Sequence, residues 1–213
     1  MDFDKNRLIL IATCALWLLM VGTGISVLWN YESTPGLAAA APCSWPAASR
    51  LERAPAGATL LMLAHPHCPC TRASIGELAR LMTQARGRVK AYVLFVKPPN
   101  FSDEWAQTDL LASASAIPGV TVIRDDEGVE ARRFRAATSG QTMLYDAAGR
   151  LLFSGGITSA RGHAGDNAGR AAIVSLLNTN ETARKETSVF GCPLFAETEC
   201  PIGKEGLHEK DNH

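Results

Sequence analysis

From Leu8 to Leu28 the chain carries no charged residue, a span of about twenty mostly apolar positions, enough for a helix to cross the hydrocarbon core of a bilayer. Lys5 and Arg7 precede it and Glu32 follows, with no basic residue before Arg50. Basic residues favour the cytoplasmic side, so the N-terminus is expected in the cytoplasm and the chain beyond Trp29 across the membrane. Trp29 and Tyr31 suit the far interface. The alternative is a cleaved signal peptide, because Leu37-Ala38-Ala39-Ala40-Ala41-Pro42 offers small residues to a peptidase. The apolar stretch is longer than the ~7–15 residues of a signal core, which favours an uncleaved anchor. The expected order is a stub over 1–7, an anchor over 8–29, a Pro/Ala/Ser-rich linker over 30–56, a domain over 57–178 and a cysteine-containing tail over 179–213.

Within the domain the pattern changes period. Thr59 to Ala64 is a continuous apolar run, as a strand buried on both faces requires. After His65-Pro66-His67-Cys68-Pro69-Cys70, apolar positions recur at helical spacing through Ile75, Leu78, Leu81 and Met82, with Arg72, Glu77 and Arg80 expected on the solvent side. Val89–Val96 reads as a second strand, 103–116 as a helix capped by Ser102 or Asp103, Val120–Ile123 as a third strand and 127–134 as a short helix. Residues 142–146 and 150–154, joined through Ala147-Ala148-Gly149, read as a hairpin, and 167–177 as a closing helix. Alternation of strands and helices predicts an α/β class: a mixed central sheet covered on both faces, with an antiparallel hairpin at one edge.

Composition narrows the functions. Twenty-one basic residues balance 21 acidic ones, so no electrostatic footprint for nucleic acid exists. Six cysteines are more than a reduced cytosolic protein of this size usually carries and fewer than a disulfide-built scaffold uses. Cys14, inside the apolar stretch, reads as a small hydrophobe. Cys68 and Cys70 fall where a strand hands over to a helix, and unpaired N–H groups with the positive end of the helix dipole favour a thiolate there. His65 and His67, when protonated, would favour it further.

A buried strand, a cysteine pair at its junction with a helix, and a late hairpin followed by a helix resemble the thioredoxin-like superfamily over Thr59 to Leu177. The Cys68-to-Ser74 segment, Ser154–His163 and the Val189–Phe195 stretch look like the bacterial RedB-type membrane-anchored thioredoxin-like proteins. The resemblance implies a thiol–disulfide oxidoreductase in the bacterial inner membrane, its domain periplasmic, its partners exported protein thiols or disulfides and a membrane or periplasmic electron donor, with no cofactor. Aligned with the superfamily's C-x-x-C, Cys68 takes the place of the outer nucleophile and Thr71 that of the second cysteine. Cys68 is therefore the expected attacking thiol, on the ground that the outermost thiol is the best exposed, with Cys70 as the nearest resolving thiol. A C-x-C disulfide closes a small, strained ring, which leaves resolution by a distant cysteine open. Cys192 and Cys200 are the candidates, and a plain structural disulfide between them or to Cys43 is the competing reading. The superfamily's cis-proline is missing from the equivalent stretch 137–141, where Gly140 would permit close backbone approach. Arg161 and His163, after Gly155-Gly156, are placed to reach the cysteines. A different class is a copper-binding thioredoxin-fold chaperone, its soft ligands Cys68, Cys70 and His65 completed by His163.

Overall fold

Ala58–Ala64 forms β1, and all seven residues are buried because a strand lies on either side and a helical layer covers each face. The computed structural model describes residues 3–37 and 39–195; Cys200 lies outside them. The other elements are α1 (Phe3–Ser33), α2 (Pro69–Ala85), β2 (Val89–Lys97), α3 (Asp103–Ala106), α4 (Asp109–Ser115), β3 (Val120–Asp126), α5 (Val129–Arg133), β4 (Thr142–Tyr145), β5 (Leu151–Gly155) and α6 (Ala168–Thr179). The sheet order is β3-β2-β1-β4-β5. β1, β2 and β3 are parallel, whereas β4 runs antiparallel to β1 and β5 antiparallel to β4. This is the mixed sheet flanked by helices that the alternation predicts, in the arrangement that the thioredoxin-like resemblance implies.

Side chains of β1 alternate between two cores. Leu60 and Met62 pack with Ile75, Leu78 and Leu81 of α2 and Ile173 and Leu176 of α6. Leu61 and Leu63 face the other way, into Tyr92, Leu94, Phe134, Met143 and Tyr145. One-sided support would leave half of that run in water, so the uninterrupted apolar pattern needs both layers.

At 31 residues, α1 reaches roughly 46 Å at 1.5 Å per residue, longer than a ~30 Å hydrocarbon core. It is long and apolar enough to cross a membrane, and none of its apolar window is buried against the rest of the chain.

Four local expectations change. The helix expected over 103–116 breaks into α3 and α4, because the Trp105 carbonyl, which would accept from residue 109 in a continuous helix, instead meets His67 Nε2 at 2.8 Å. Glu77, expected in solvent, is completely buried: Oε1 accepts from Arg80 at 2.6 Å and from the Gly165 N–H at 2.9 Å. Its Oε2 accepts from Asn167 Nδ2 at 3.1 Å and lies 2.8 Å from Arg170 Nε, an ion pair whose N–H does not point along that line. A buried carboxylate is tolerable only when paired and hydrogen-bonded in this way. The stretch expected as a linker over 30–56 completes α1 to Ser33 and later packs on the body, Trp45 edge-on to Phe134 and Tyr145, Leu51 buried and Ser49 donating to Glu130 at 2.7 Å. The tail, as far as Phe195, also lies on the body: the Ser154 N–H donates to the Lys185 carbonyl, Gly36 N–H to Val189, and Leu194 is buried.

Candidate functional site

β1 ends at Ala64, and His65-Pro66-His67 turns the chain into α2. Pro69 opens the helix with a backbone angle suited to its first position, leaving Cys68 as the N-cap in extended conformation. Cys70 and Thr71 follow within the first turn. Cys68 thus sits beside the helix's unpaired N–H groups, where negative charge is favoured.

The expectation that Cys68 is the best-exposed thiol fails. Its exposure is 1%, and that of Cys70 is 6%. What covers the sulfur is the chain's own tail: the Cys192 N–H donates to Cys68 Sγ at 3.4 Å. Burial pushes the Cys68 thiol up, but the Cys192 thiol and N–H, with the Thr71 hydroxyl and N–H, outweigh it and hold Cys68 below its ordinary value. Cys70 is pushed up, first by burial and then by the Cys68 charge, with Arg161 opposing. Burial, hydrogen bonding to Cys68 and the neighbouring thiolates push Cys192 up to about 12. Of the three neighbouring sulfurs, Cys68 is therefore the one that ionises first.

Thr71, read from the sequence only as the residue in the second cysteine's place, is buried with its Oγ1 2.7 Å from Ser139 Oγ. Ser139 Oγ accepts from the His65 N–H at 2.8 Å. The Ser139 hydroxyl therefore fixes Thr71 and the 65–67 turn together, and its own N–H donates to the Cys192 carbonyl at 2.8 Å. Sequence reasoning missed Ser139. The available signal was its position next to Gly140 in the loop that faces the cysteines. Gly140 has φ +89°, and a Cβ there would stand 2.9 Å from Ser74 Oγ, so the close approach expected of this glycine is real.

The histidines work differently from the expectation. Burial first, and the neighbouring His67 second, lower the His65 pKa, and its Nδ1 accepts from the His67 N–H at 3.2 Å, which requires an unprotonated nitrogen. His65 is therefore a neutral spacer, and the thiolate's support comes from hydrogen bonds. His67 is exposed, and its ring lies tilted against Trp105 with centroids 4.5 Å apart and planes inclined by 50°. Phe101, also exposed, lies 4.5 Å from Trp105 on the same rim.

Arg161 reaches the site as expected. Its Nη1 donates to the Gly191 carbonyl at 2.6 Å, its Nε to Thr34 at 3.2 Å and its N–H to Glu32 at 3.0 Å. One side chain thus ties together the end of α1, the loop after β5 and the tail beside Cys70. His163 remains exposed. Among the described residues no three or more Cys, His, Asp or Glu gather as a metal site, so Cys68, Cys70, His65 and His163 are not brought together as the copper reading requires. Among the described residues Cys14, Cys43, Cys68, Cys70 and Cys192 form no disulfide with one another.

No family model and no curated protein matches the chain. Among solved structures, an uncharacterized conserved protein from Geobacillus kaustophilus superposes with a TM-score of 0.58 at 17% identity, covering 76% of this chain and 98% of its own. A hypothetical protein from Sinorhizobium meliloti gives 0.54 at 20%, covering 65% and 79%. A secreted Mycobacterium tuberculosis disulfide oxidoreductase gives 0.40 at 15%, covering 57% and 80%. The first two show that this fold is shared with other bacterial proteins.

Proposed function

We propose that the chain is a membrane-anchored thiol–disulfide oxidoreductase of the RedB type, with α1 in the bacterial inner membrane, the N-terminus cytoplasmic and the domain periplasmic. The observation that carries this reading is Cys68 at the N-cap of α2, its sulfur hydrogen-bonded by the Cys192 N–H and held below the ordinary thiol pKa. A thiol in that state carries more thiolate, the attacking species, at a given pH than a free cysteine does. Cys68 thiolate attacks one sulfur of a substrate disulfide; a mixed disulfide forms and the other substrate sulfur leaves as a thiolate, taking a proton from water. A second thiol then displaces the bound half, so two electrons pass from the protein to the substrate. The reverse sequence oxidises substrate dithiols. Cys192 and Thr71 favour the charge on Cys68, Ser139 fixes Thr71, and Arg161 acts on Cys70 and positions the tail. Exported protein thiols or disulfides are the substrates, and an exported or membrane-bound electron donor restores the reduced form. Arg161 joins the end of α1 to the site, which favours partners near the membrane surface.

The test is the pH dependence of alkylation by iodoacetamide at each cysteine of the full chain in detergent. Cys68 is expected to reach half-maximal reactivity well below the ~8.5 of a free thiol. Cys68→Ser is expected to abolish dithiol-driven reduction of glutathione disulfide. A Cys68 that alkylates like free cysteine would remove the basis of the reading.

A further inference from the structure

We propose that Cys192 is the resolving thiol of this site, carried on a tail segment, Gly191–Phe195, that pairs along the backbone edge of the loop ahead of β4. The inference rests on Cys68 being the attacking thiol and names its internal partner.

The edge is the backbone of Ala137–Ser139, just ahead of β4. Cys192–Leu194 runs antiparallel to it: Ser139 N–H donates to the Cys192 carbonyl and Leu194 N–H to the Ala137 carbonyl, both at 2.8 Å, bracketing a Thr138–Pro193 bridge. Main-chain pairing of this kind is how an extended peptide adds to a free sheet edge, with one side chain delivered to a fixed place. Here the delivered residue is Cys192, whose N–H touches Cys68 Sγ at 3.4 Å.

Three independent features hold the segment in register. Arg161 grips the Gly191 carbonyl at 2.6 Å. Leu194 buries its side chain, leaving 2% exposed. Gly191 lies so close to the edge that a Cβ would stand 2.0 Å from the Ser139 carbonyl oxygen, which only a residue without one avoids. A tail resting by chance on the surface needs none of these.

Cys70 is the competing resolver. It lies two residues from Cys68, the extended N-cap, and its thiol hydrogen-bonds the Cys68 sulfur, but a Cys68–Cys70 disulfide would close a very small ring through Pro69, which strains the bond. Cys192 arrives from a separate segment and can close without unwinding α2. Its thiol, pushed up to about 12, keeps its proton while Cys68 holds the charge, as suits a thiol that reacts second.

The steps balance. Cys68 thiolate cleaves the substrate disulfide, forms a mixed disulfide and releases one substrate thiol. Cys192 gives up its proton and attacks Cys68 Sγ, which breaks the mixed disulfide, releases the second substrate thiol and leaves a Cys68–Cys192 disulfide. The substrate gains two electrons and the Cys68–Cys192 pair loses two.

The experiment uses the full chain in detergent, reduced, then exposed to glutathione disulfide, quenched with acid, alkylated and mapped by mass spectrometry without reduction. The expected product of the unaltered chain and of Cys70→Ser is a Cys68–Cys192 peptide. In Cys192→Ser and Cys192→Ala, glutathione is expected to remain on Cys68 and to be released on the order of a hundredfold more slowly, as loss of a tethered thiol implies. A Cys68–Cys70 link, or a link from Cys68 to any other cysteine, with Cys192 alkylated and adduct release unchanged in Cys192→Ser, overturns the inference and leaves the oxidoreductase reading intact. No glutathione on Cys68 in any variant overturns both.

Discussion

Substituting Gly191 by alanine tests whether the tail controls Cys68. The added Cβ would meet the Ser139 carbonyl oxygen at 2.0 Å, and that oxygen belongs to backbone that cannot rotate away. The segment must lift. Lifting breaks the two backbone bonds between 137–139 and 192–194, about 0.5–1.5 kcal/mol each, and uncovers Leu194, worth about 1.5–3 kcal/mol of apolar burial. It also removes the Cys192 N–H from Cys68 Sγ; a hydrogen bond to a charged group contributes about 1.5–3 kcal/mol, which at 1.36 kcal/mol per pKa unit is about one to two units. The Cys68 inflection in a peptide-resolved iodoacetamide profile should therefore rise toward that of a free thiol, relief of burial offsetting part of the lost hydrogen bond. Its plateau rate at high pH should rise as well, because a sulfur only 1% exposed becomes accessible. The two readouts separate charge from access. A variant with neither the inflection nor the plateau moved would show that the tail does not govern this thiol, and the reasoning would fail.

Other consequences follow from the same contacts. Thr71→Val removes the hydroxyl that favours the Cys68 anion, so the Cys68 inflection should rise, and because the buried Ser139 hydroxyl loses its 2.7 Å partner the unfolding free energy should fall by about 1–3 kcal/mol. Glu77→Ala leaves Arg170 without its buried partner and should cost about 3–5 kcal/mol in urea unfolding monitored by circular dichroism, whereas a loss under about 1 kcal/mol would contradict the burial argument. Stability should depend on pH in two opposite windows. Cys68, depressed in the folded state, contributes stability that is present above ~8.5 and lost as pH falls through its folded value; Cys192, raised to about 12, contributes stability present below ~8.5 and lost as pH rises toward 12. Denaturation curves from pH 6 to 11 should decline more steeply on the alkaline side for the unaltered chain than for Cys192→Ala, in which the raised Cys70 thiol remains.

Much of the architecture follows from neighbours along the chain. An uninterrupted apolar run dictates a strand covered on both faces, a long uncharged stretch dictates a membrane-length helix, and helical spacing after Cys70 dictates α2. The cysteines were therefore legible at a strand-to-helix junction, and Arg161 was legible as a residue able to reach them. Gly140 was legible as a point of close approach, although the serine beside it was not: Ser139 does its work through hydroxyl contacts to Thr71 and the 65–67 turn, which no periodicity encodes. Glu77 lies outside the apolar stripe of α2, and the arrival of Gly165, Asn167 and Arg170 at and before α6 makes its burial tolerable.

What the sequence by itself determined about this protein is the list of elements, the two-sided core and the chemical identity of the reactive turn. Those depend on spacing within a dozen residues, which periodicity reports directly. The tertiary structure alone decided that Cys68 is covered, that hydrogen bonds rather than imidazolium charge hold its thiolate, and that Cys192, 124 residues away, stands against it. The reason is that the pKa of a thiol and the partner it meets depend on which chain segment returns to the site. That return is a property of packing, with no local pattern to announce it.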